Sequence, residues 1–129
     1  MKLKNNNKDA GLTLIEITLV IAVLLGLISV LFVGVSAYKE GSNRAKCIMN
    51  ISNVQKAVRV YQNLNEKSVG DTLPLDSLVG SGKLLETIPA CPSNGTYTTT
   101  DSVPSPGNVY LTCSLSTSRD HVPNSITGW

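Results

Sequence analysis

An uncharged apolar tract with one carboxylate at its start constrains this chain more than any other feature. Ile17 to Ala37 is a run of twenty-one residues without a charge, and Glu16 directly precedes it. At about 1.5 Å per residue, a helix of this length spans the roughly 30 Å hydrocarbon core of a bilayer. An ionised group next to hydrocarbon is costly unless it finds a partner, so Glu16 indicates a functional role.

The residues that lead into this tract form a short motif. Residues 11–16 read Gly-Leu-Thr-Leu-Ile-Glu, and they follow a basic leader. The motif resembles the N-terminus of type IV pilins and type II secretion pseudopilins, whose leader is cut after a glycine and whose new first residue is methylated by the same peptidase. This chain has Leu12 where the family usually has Phe, and Val33-Gly34 where it often has a proline.

The resemblance implies a role for each matching position. Gly11 takes the cleavage position, Leu12 becomes the N-methylated first residue, and Glu16 neutralises the Leu12 amine of a neighbouring subunit. The implied partners are prepilin peptidase, other pilin or pseudopilin subunits, an inner-membrane assembly platform and membrane lipid. The implied location is a single pass through the bacterial inner membrane, with a periplasmic or extracellular head, and then a filament.

Length and charge limit what else the chain contains. The predicted parts are a leader (1–11), a transmembrane or filament-core segment (12–37) and a head (38–129), and a head this short is one small domain. Removing the leader lowers Lys+Arg from 11 to 8 and Asp+Glu from 9 to 8, so the mature chain is neutral. A neutral chain lacks the basic character typical of general nucleic-acid binding. The basic leader fits retention on the cytoplasmic side.

Two alternatives remain open for the N-terminal region. An ordinary signal peptide would be cut near Val35-Ser36-Ala37, although its apolar core is usually about 7–15 residues long. A monomeric, membrane-anchored periplasmic binding protein is the other functional class. The mass of the mature N-terminus distinguishes these from a pilin.

Helical periodicity continues beyond the apolar tract. Apolar residues recur at spacings of three and four, which places them on one stripe of a helix that ends near Leu64. The stripe consists of Cys47, Ile51, Val54, Val58 and Tyr61, widened by Ile48 and Ala57. The predicted fold is therefore α+β and pilin-like: one helix from about Leu12 to Leu64, transmembrane in its first half, packed in its second half against a small antiparallel sheet.

The rest of the head is rich in loops. Leu73 to Val79 is predicted to form a short helix or turn. The ranges 95–100 and 108–114 are strand candidates from their β-branched and aromatic content. The sheet would bury Val109, Leu111 and Leu115. We expect residues 101–107 to be an exposed loop and residues 116–129 to be a poorly ordered tail.

The three cysteines predict one disulfide. Cys91 and Cys113 lie in the loop-rich half, where export would place them in an oxidising compartment, so they are the expected pair. Cys47 lies on the apolar stripe and is interpreted as a buried small residue in preference to a reactive or intermolecular thiol. With one histidine and no Cys-x-x-Cys spacing, neither a metal site nor a cofactor is predicted.

Enzyme chemistry is not expected. Ser118, Asp120 and His121 are the residue types of a hydrolase triad, but they lie in the predicted tail, and a triad needs a rigidly held base. Calcium binding by Asp101 and nearby carbonyls, as in the major pseudopilins, is an alternative. One carboxylate is a poor ligand set for a cation that takes six to eight oxygens.

Overall fold

The computed structural model describes the backbone of residues 7–129 and the side chains from residue 13 onward. One helix, α1, runs from Asn7 to Leu64. A single 3₁₀ turn follows at Leu75–Ser77, and two short strands, β1 (Tyr97–Thr99) and β2 (Leu111–Cys113), complete the chain. The prediction of a long helix with a small antiparallel sheet is confirmed.

The chain divides into two compact units, one up to Lys39 and one from Glu40 to Trp129. The described part of the first unit is helix alone, and its large apolar side chains from Leu14 to Val35 are between 45 % and 74 % exposed. A helix that is apolar on all sides is typical of a membrane span. This helix is long and apolar enough to cross a membrane.

The polar side chains inside the apolar tract satisfy their own hydrogen bonds. Three hydroxyls bond to backbone carbonyls three or four residues earlier: Thr18 to Ile15 (2.9 Å), Ser29 to Leu25 (2.8 Å) and Ser36 to Phe32 (3.0 Å). Such bonds lower the cost of placing a hydroxyl in hydrocarbon, because no water is needed to complete its hydrogen bonding.

The second unit is built on the later part of α1. Cys47, Ile51, Val54 and Val58 are buried on one face, which confirms the predicted stripe. Ala57 is buried beside them, and Tyr61 packs against the same core at partial exposure.

The two strands pair in antiparallel fashion, with Tyr97 opposite Cys113 and Thr99 opposite Leu111. In β2, Leu111 and Cys113 are buried while Thr112 is exposed, as expected for a sheet covered on one face. Both strands are shorter than predicted.

The pairing ends early because a helix side chain takes up the backbone groups that precede β2. The Gln55 amide donates to the carbonyl of Asn108 (3.0 Å) and accepts from the backbone N–H of Tyr110 (2.8 Å). Tyr110 is therefore the fully buried residue of this segment, and its hydroxyl donates to the Leu73 carbonyl at 2.7 Å. Val109 and Leu115, predicted to be buried, are only half-buried.

The expectation of an exposed loop at 101–107 is wrong in its middle. Val103 is buried, and its backbone bonds to Gly70 and Asp71 at 2.9 Å each. These bonds join residues that are more than thirty positions apart in the sequence, so a local analysis of turn residues does not detect them.

The expectation of a loose tail at 116–129 is also wrong. His121 is fully buried, and Trp129 packs against the core. The Arg59 guanidinium on α1 donates to the Trp129 carbonyl at 3.0 Å, which ties the segment to the helix. The polar composition predicted disorder, but specific contacts with α1 hold the segment in place.

Candidate functional site

The predicted processing site lies at the N-terminal end of α1. Gly11 and Leu12 belong to this helix, but only their backbone is described, so cleavage and methylation stay predictions. The Glu16 side chain is exposed and makes no hydrogen bond or ion pair with any residue from 13 to 129. Its predicted pairing with Leu12 also stays a prediction.

A second site lies inside the head, where three cysteines and one histidine converge. Cys47 comes from α1, Cys91 from the loop before β1, Cys113 from the end of β2, and His121 from the C-terminal segment. All four are buried, and their sulfur and ring nitrogen atoms lie within 4.8 Å of one another. We call these residues the Cys₃His cluster.

No disulfide joins the cysteines of the cluster in this structure. The sulfurs of Cys91 and Cys113 are 3.9 Å apart, and Cys47 is the third free thiol. The predicted pair therefore lies close together, and the disulfide between them stays a prediction. Cys47 is buried as expected, but it lies against the other two cysteines as well as on the apolar stripe.

His121 links the cluster to a carboxylate. Its Nδ1 is 3.5 Å from the Cys91 sulfur, and its Nε2 is 3.2 Å from Oε1 of Glu40. Glu40 also pairs with Arg119 at 3.3 Å and accepts from the Ser93 hydroxyl at 3.4 Å. The His121 hydrogen bond is the largest cause that lowers the pKa of the Glu40 carboxyl, and the Arg119 charge adds to it.

Each sulfur in the cluster accepts a hydrogen bond. The Tyr97 hydroxyl donates to Cys47 (3.4 Å), and the backbone N–H of Leu115 donates to Cys113 (3.5 Å). Cys91 accepts from the Cys113 thiol at 3.9 Å, and the backbone N–H groups of Ser93 and Gly95 act on its pKa.

The cysteines differ in their electrostatic surroundings. Burial acts to raise the pKa of the Cys91 thiol, but the backbone N–H groups, Cys47 and His121 outweigh it and lower the pKa to about 7. For Cys47, burial dominates and raises the pKa to about 12. Burial likewise raises the pKa of the Tyr97 hydroxyl that faces Cys47. The thiolate therefore forms more readily at Cys91 than at Cys47.

Gly95 leaves room for the sulfurs. A Cβ at this position would lie 2.7 Å from the Cys113 sulfur and 3.1 Å from the Cys91 sulfur. Only a residue without a side chain lets the chain pass this close to both cysteines.

The candidate triad of Ser118, Asp120 and His121 is not formed, because the two ring nitrogens of His121 face Cys91 and Glu40. Cysteine, histidine and carboxylate in this order are also used in nucleophilic catalysis. Here the histidine is fully buried, the cysteine is 6 % exposed, and two further thiols pack against it.

Sequence reasoning missed the cluster because its four residues are not close along the chain. The turn at Cys91-Pro92-Ser93-Asn94-Gly95 was the available indication, since it presents backbone N–H groups to a cysteine.

No family model, curated protein or solved structure matches this chain.

Proposed function

We propose that this protein is a structural subunit of a type IV pilus-like or type II secretion pseudopilus filament. Prepilin peptidase cleaves it after Gly11 and methylates Leu12, and an assembly platform takes it from the bacterial inner membrane into the filament. One observation carries the proposal: the motif at residues 11–16 directly precedes a helix whose apolar surface is exposed on all sides.

The exposed apolar helix supports both states of such a subunit. In the membrane, its surface contacts lipid tails. In a filament, the same surface contacts the helices of neighbouring subunits, which are equally apolar, so the transfer costs little hydrophobic free energy. A helix with a polar face would not suit both surroundings.

The charges near the N-terminus supply a specific contact between neighbouring subunits. Cleavage after Gly11 creates an α-amino cation on Leu12, and methylation preserves that charge. Glu16 is exposed and has no bonding partner among residues 13–129, so its carboxylate is available to another subunit. Glu16 also lies one helical turn from Leu12 in its own chain, so an intrachain pair is the state before assembly.

The mass of the mature N-terminus tests this proposal. The protein purified from membranes of a host with prepilin peptidase should begin at methylated Leu12. An intact Met1, or a start near Tyr38, would contradict the proposal and favour a membrane-anchored binding protein.

A pair of glycine variants controls for nonspecific effects. Gly11→Leu should accumulate as an uncleaved precursor, because the resemblance assigns Gly11 to the small-residue position of the peptidase. Gly41→Leu makes the same change later in α1, where an added Cβ meets nothing within 4 Å. It should be processed normally. Normal processing of Gly11→Leu would refute the leader assignment.

A further inference from the structure

We infer that the head binds one structural zinc ion through the sulfurs of Cys47, Cys91 and Cys113 and through Nδ1 of His121. The inference goes beyond the proposed function and does not depend on it. Three observations support it: the positions of the four ligand atoms, the groups that surround them, and the fact that a disulfide would involve only two of the four residues.

The distances fit a tetrahedral ion. With Zn–S near 2.3 Å and Zn–N near 2.0–2.1 Å, tetrahedral geometry places the ligand atoms about 3.5–3.8 Å apart. The Cys91 sulfur lies 3.5 Å from Nδ1 of His121 and 3.9 Å from the Cys113 sulfur. The other pairs are within 4.8 Å, so small side-chain adjustments complete the site. Three thiolates and one imidazole are an established ligand set for structural zinc.

Glu40 orients the histidine for binding. A carboxylate accepts hydrogen bonds, so the contact between Glu40 and Nε2 of His121 places the proton of the neutral ring on Nε2. Nδ1 then carries a lone pair that faces the cysteines. Histidines that bind metals commonly have such a carboxylate on the other nitrogen, which fixes the tautomer and raises the basicity of the ligand.

Hydrogen-bonding groups lie around all three sulfurs. The Cys47 sulfur accepts from the Tyr97 hydroxyl, and the Cys113 sulfur accepts from the backbone N–H of Leu115. The Cys91 sulfur lies 3.5 Å from Nδ1 of His121 and 3.9 Å from the Cys113 sulfur. Hydrogen bonds from backbone N–H groups stabilise negative charge on sulfur and tune a metal centre. Gly95 leaves the space that brings Cys91 and Cys113 close together.

The alternative is a disulfide between Cys91 and Cys113, which would remove two of the four ligands. That bond would account for two members of the cluster only. It would leave Cys47 and a fully buried His121 packed against it without a role, although burying an imidazole is costly unless both nitrogens have partners. Zinc gives all four residues a role, and it protects the thiols from oxidation while it is bound.

Metal analysis and thiol counting distinguish the two states in the wild-type chain. The full-length protein is extracted in detergent without chelator or reductant, and its zinc content is measured by mass spectrometry. The zinc state should give about one zinc per chain, and three reactive thiols after denaturation in chelator. The disulfide state gives no zinc, one reactive thiol and a mass lower by two hydrogens, and it would overturn the proposal.

Cobalt(II) gives a second readout. Replacement of zinc by Co²⁺ should produce the ligand-field bands of a tetrahedral cobalt thiolate. If the reduced protein shows three thiols but takes up neither Zn²⁺ nor Co²⁺, the cluster is a group of buried thiols and the proposal is wrong.

Cys47→Ser separates the two states by mutation, because it removes a zinc ligand and leaves both cysteines of the disulfide. It should lose the bound zinc. Met49→Ala changes an exposed residue of the same helix and should keep it. Circular dichroism checks that both variants fold. If Cys47→Ser does not fold, His121→Gln takes its place in the same test. Retention of one zinc per chain by Cys47→Ser or His121→Gln would remove that residue from the ligand set and overturn the proposed site.

Discussion

Replacement of Gln55 by Met should destabilise the head by removing a buried link between α1 and the segment before β2. Gln55 is 3 % exposed, and its amide makes two hydrogen bonds to backbone groups, one to the Asn108 carbonyl and one from the Tyr110 N–H. Met has nearly the same length and volume, so the substitution removes both bonds and leaves no large cavity.

The expected cost follows from the two backbone groups that lose their partners. The buried Tyr110 N–H costs about 1–3 kcal/mol when it is unpaired, and the Asn108 carbonyl costs less because it is only partly buried. The added apolar contact of Met offsets part of this cost, so we expect the free energy of unfolding to fall by about 1–3 kcal/mol. With a urea dependence near 2 kcal/mol per molar, the unfolding midpoint should fall by about 0.5–1.5 M.

Urea titration in detergent, followed by tryptophan fluorescence, measures this change. Trp129 is the only tryptophan of the chain and packs against the head core, so its emission reports unfolding of the head. Lys56→Met is the matched control, because Lys56 is exposed and adjacent on the same helix. If Gln55→Met lowers the midpoint no more than Lys56→Met does, the two hydrogen bonds do not stabilise the head.

Gln55→Glu tests the same link through pH. An ionised Glu carboxylate can accept from the Tyr110 N–H, but it repels the Asn108 carbonyl. A protonated Glu carboxyl can accept from the Tyr110 N–H and also donate to the Asn108 carbonyl. Burial should raise the folded-state pKa of the new Glu above its unfolded value. Its contribution is then most favourable at low pH and is lost as the pH rises through the folded-state pKa. Relative to wild type, the variant should gain stability on acidification, and a loss would contradict this reasoning.

Two further predictions concern the C-terminal segment and the histidine. Arg59→Lys should make residues 116–129 more sensitive to limited proteolysis and lower the free energy of unfolding by about 1–2 kcal/mol in urea titration, because a lysine cannot keep the bonds to both the Pro104 and Trp129 carbonyls. Unchanged digestion would contradict this prediction. Glu40→Gln should weaken zinc retention by the head about 10–100-fold in a chelator competition, because it removes the charged partner of His121; unchanged retention would show that the carboxylate does not tune the ligand.

The sequence predicted the elements whose evidence is local. The apolar tract, and the stripe that begins at Cys47, repeat with the helical period, so both the membrane-length segment and the end of α1 at Leu64 could be predicted. The two strand positions followed from local β-branched and aromatic content. Their pairing was confirmed, and only their lengths were overestimated.

The parts that sequence reasoning missed depend on contacts between distant residues. His121 lies in a polar segment that predicted disorder, and only the positions of Glu40 and Cys91 explain why it is buried. Val103 is buried because residues 70 and 71 bond to its backbone. The Cys₃His cluster draws its members from four separate parts of the chain, so a search for ligands at short spacing could not detect it.

In the proposed filament Glu16 joins subunits, and a paired measurement of membrane level and filament yield tests this role most directly. Glu16→Val should reach the membrane at the wild-type level, because the helix becomes more apolar. Its filament yield, measured in the same cells from the sheared fraction, should fall strongly, because an unpaired Leu12 ammonium would be buried at a cost of about 3–5 kcal/mol. Thr18→Val, which also replaces a polar side chain in this tract, should assemble normally. Wild-type filament yield from Glu16→Val at equal membrane level would contradict the account.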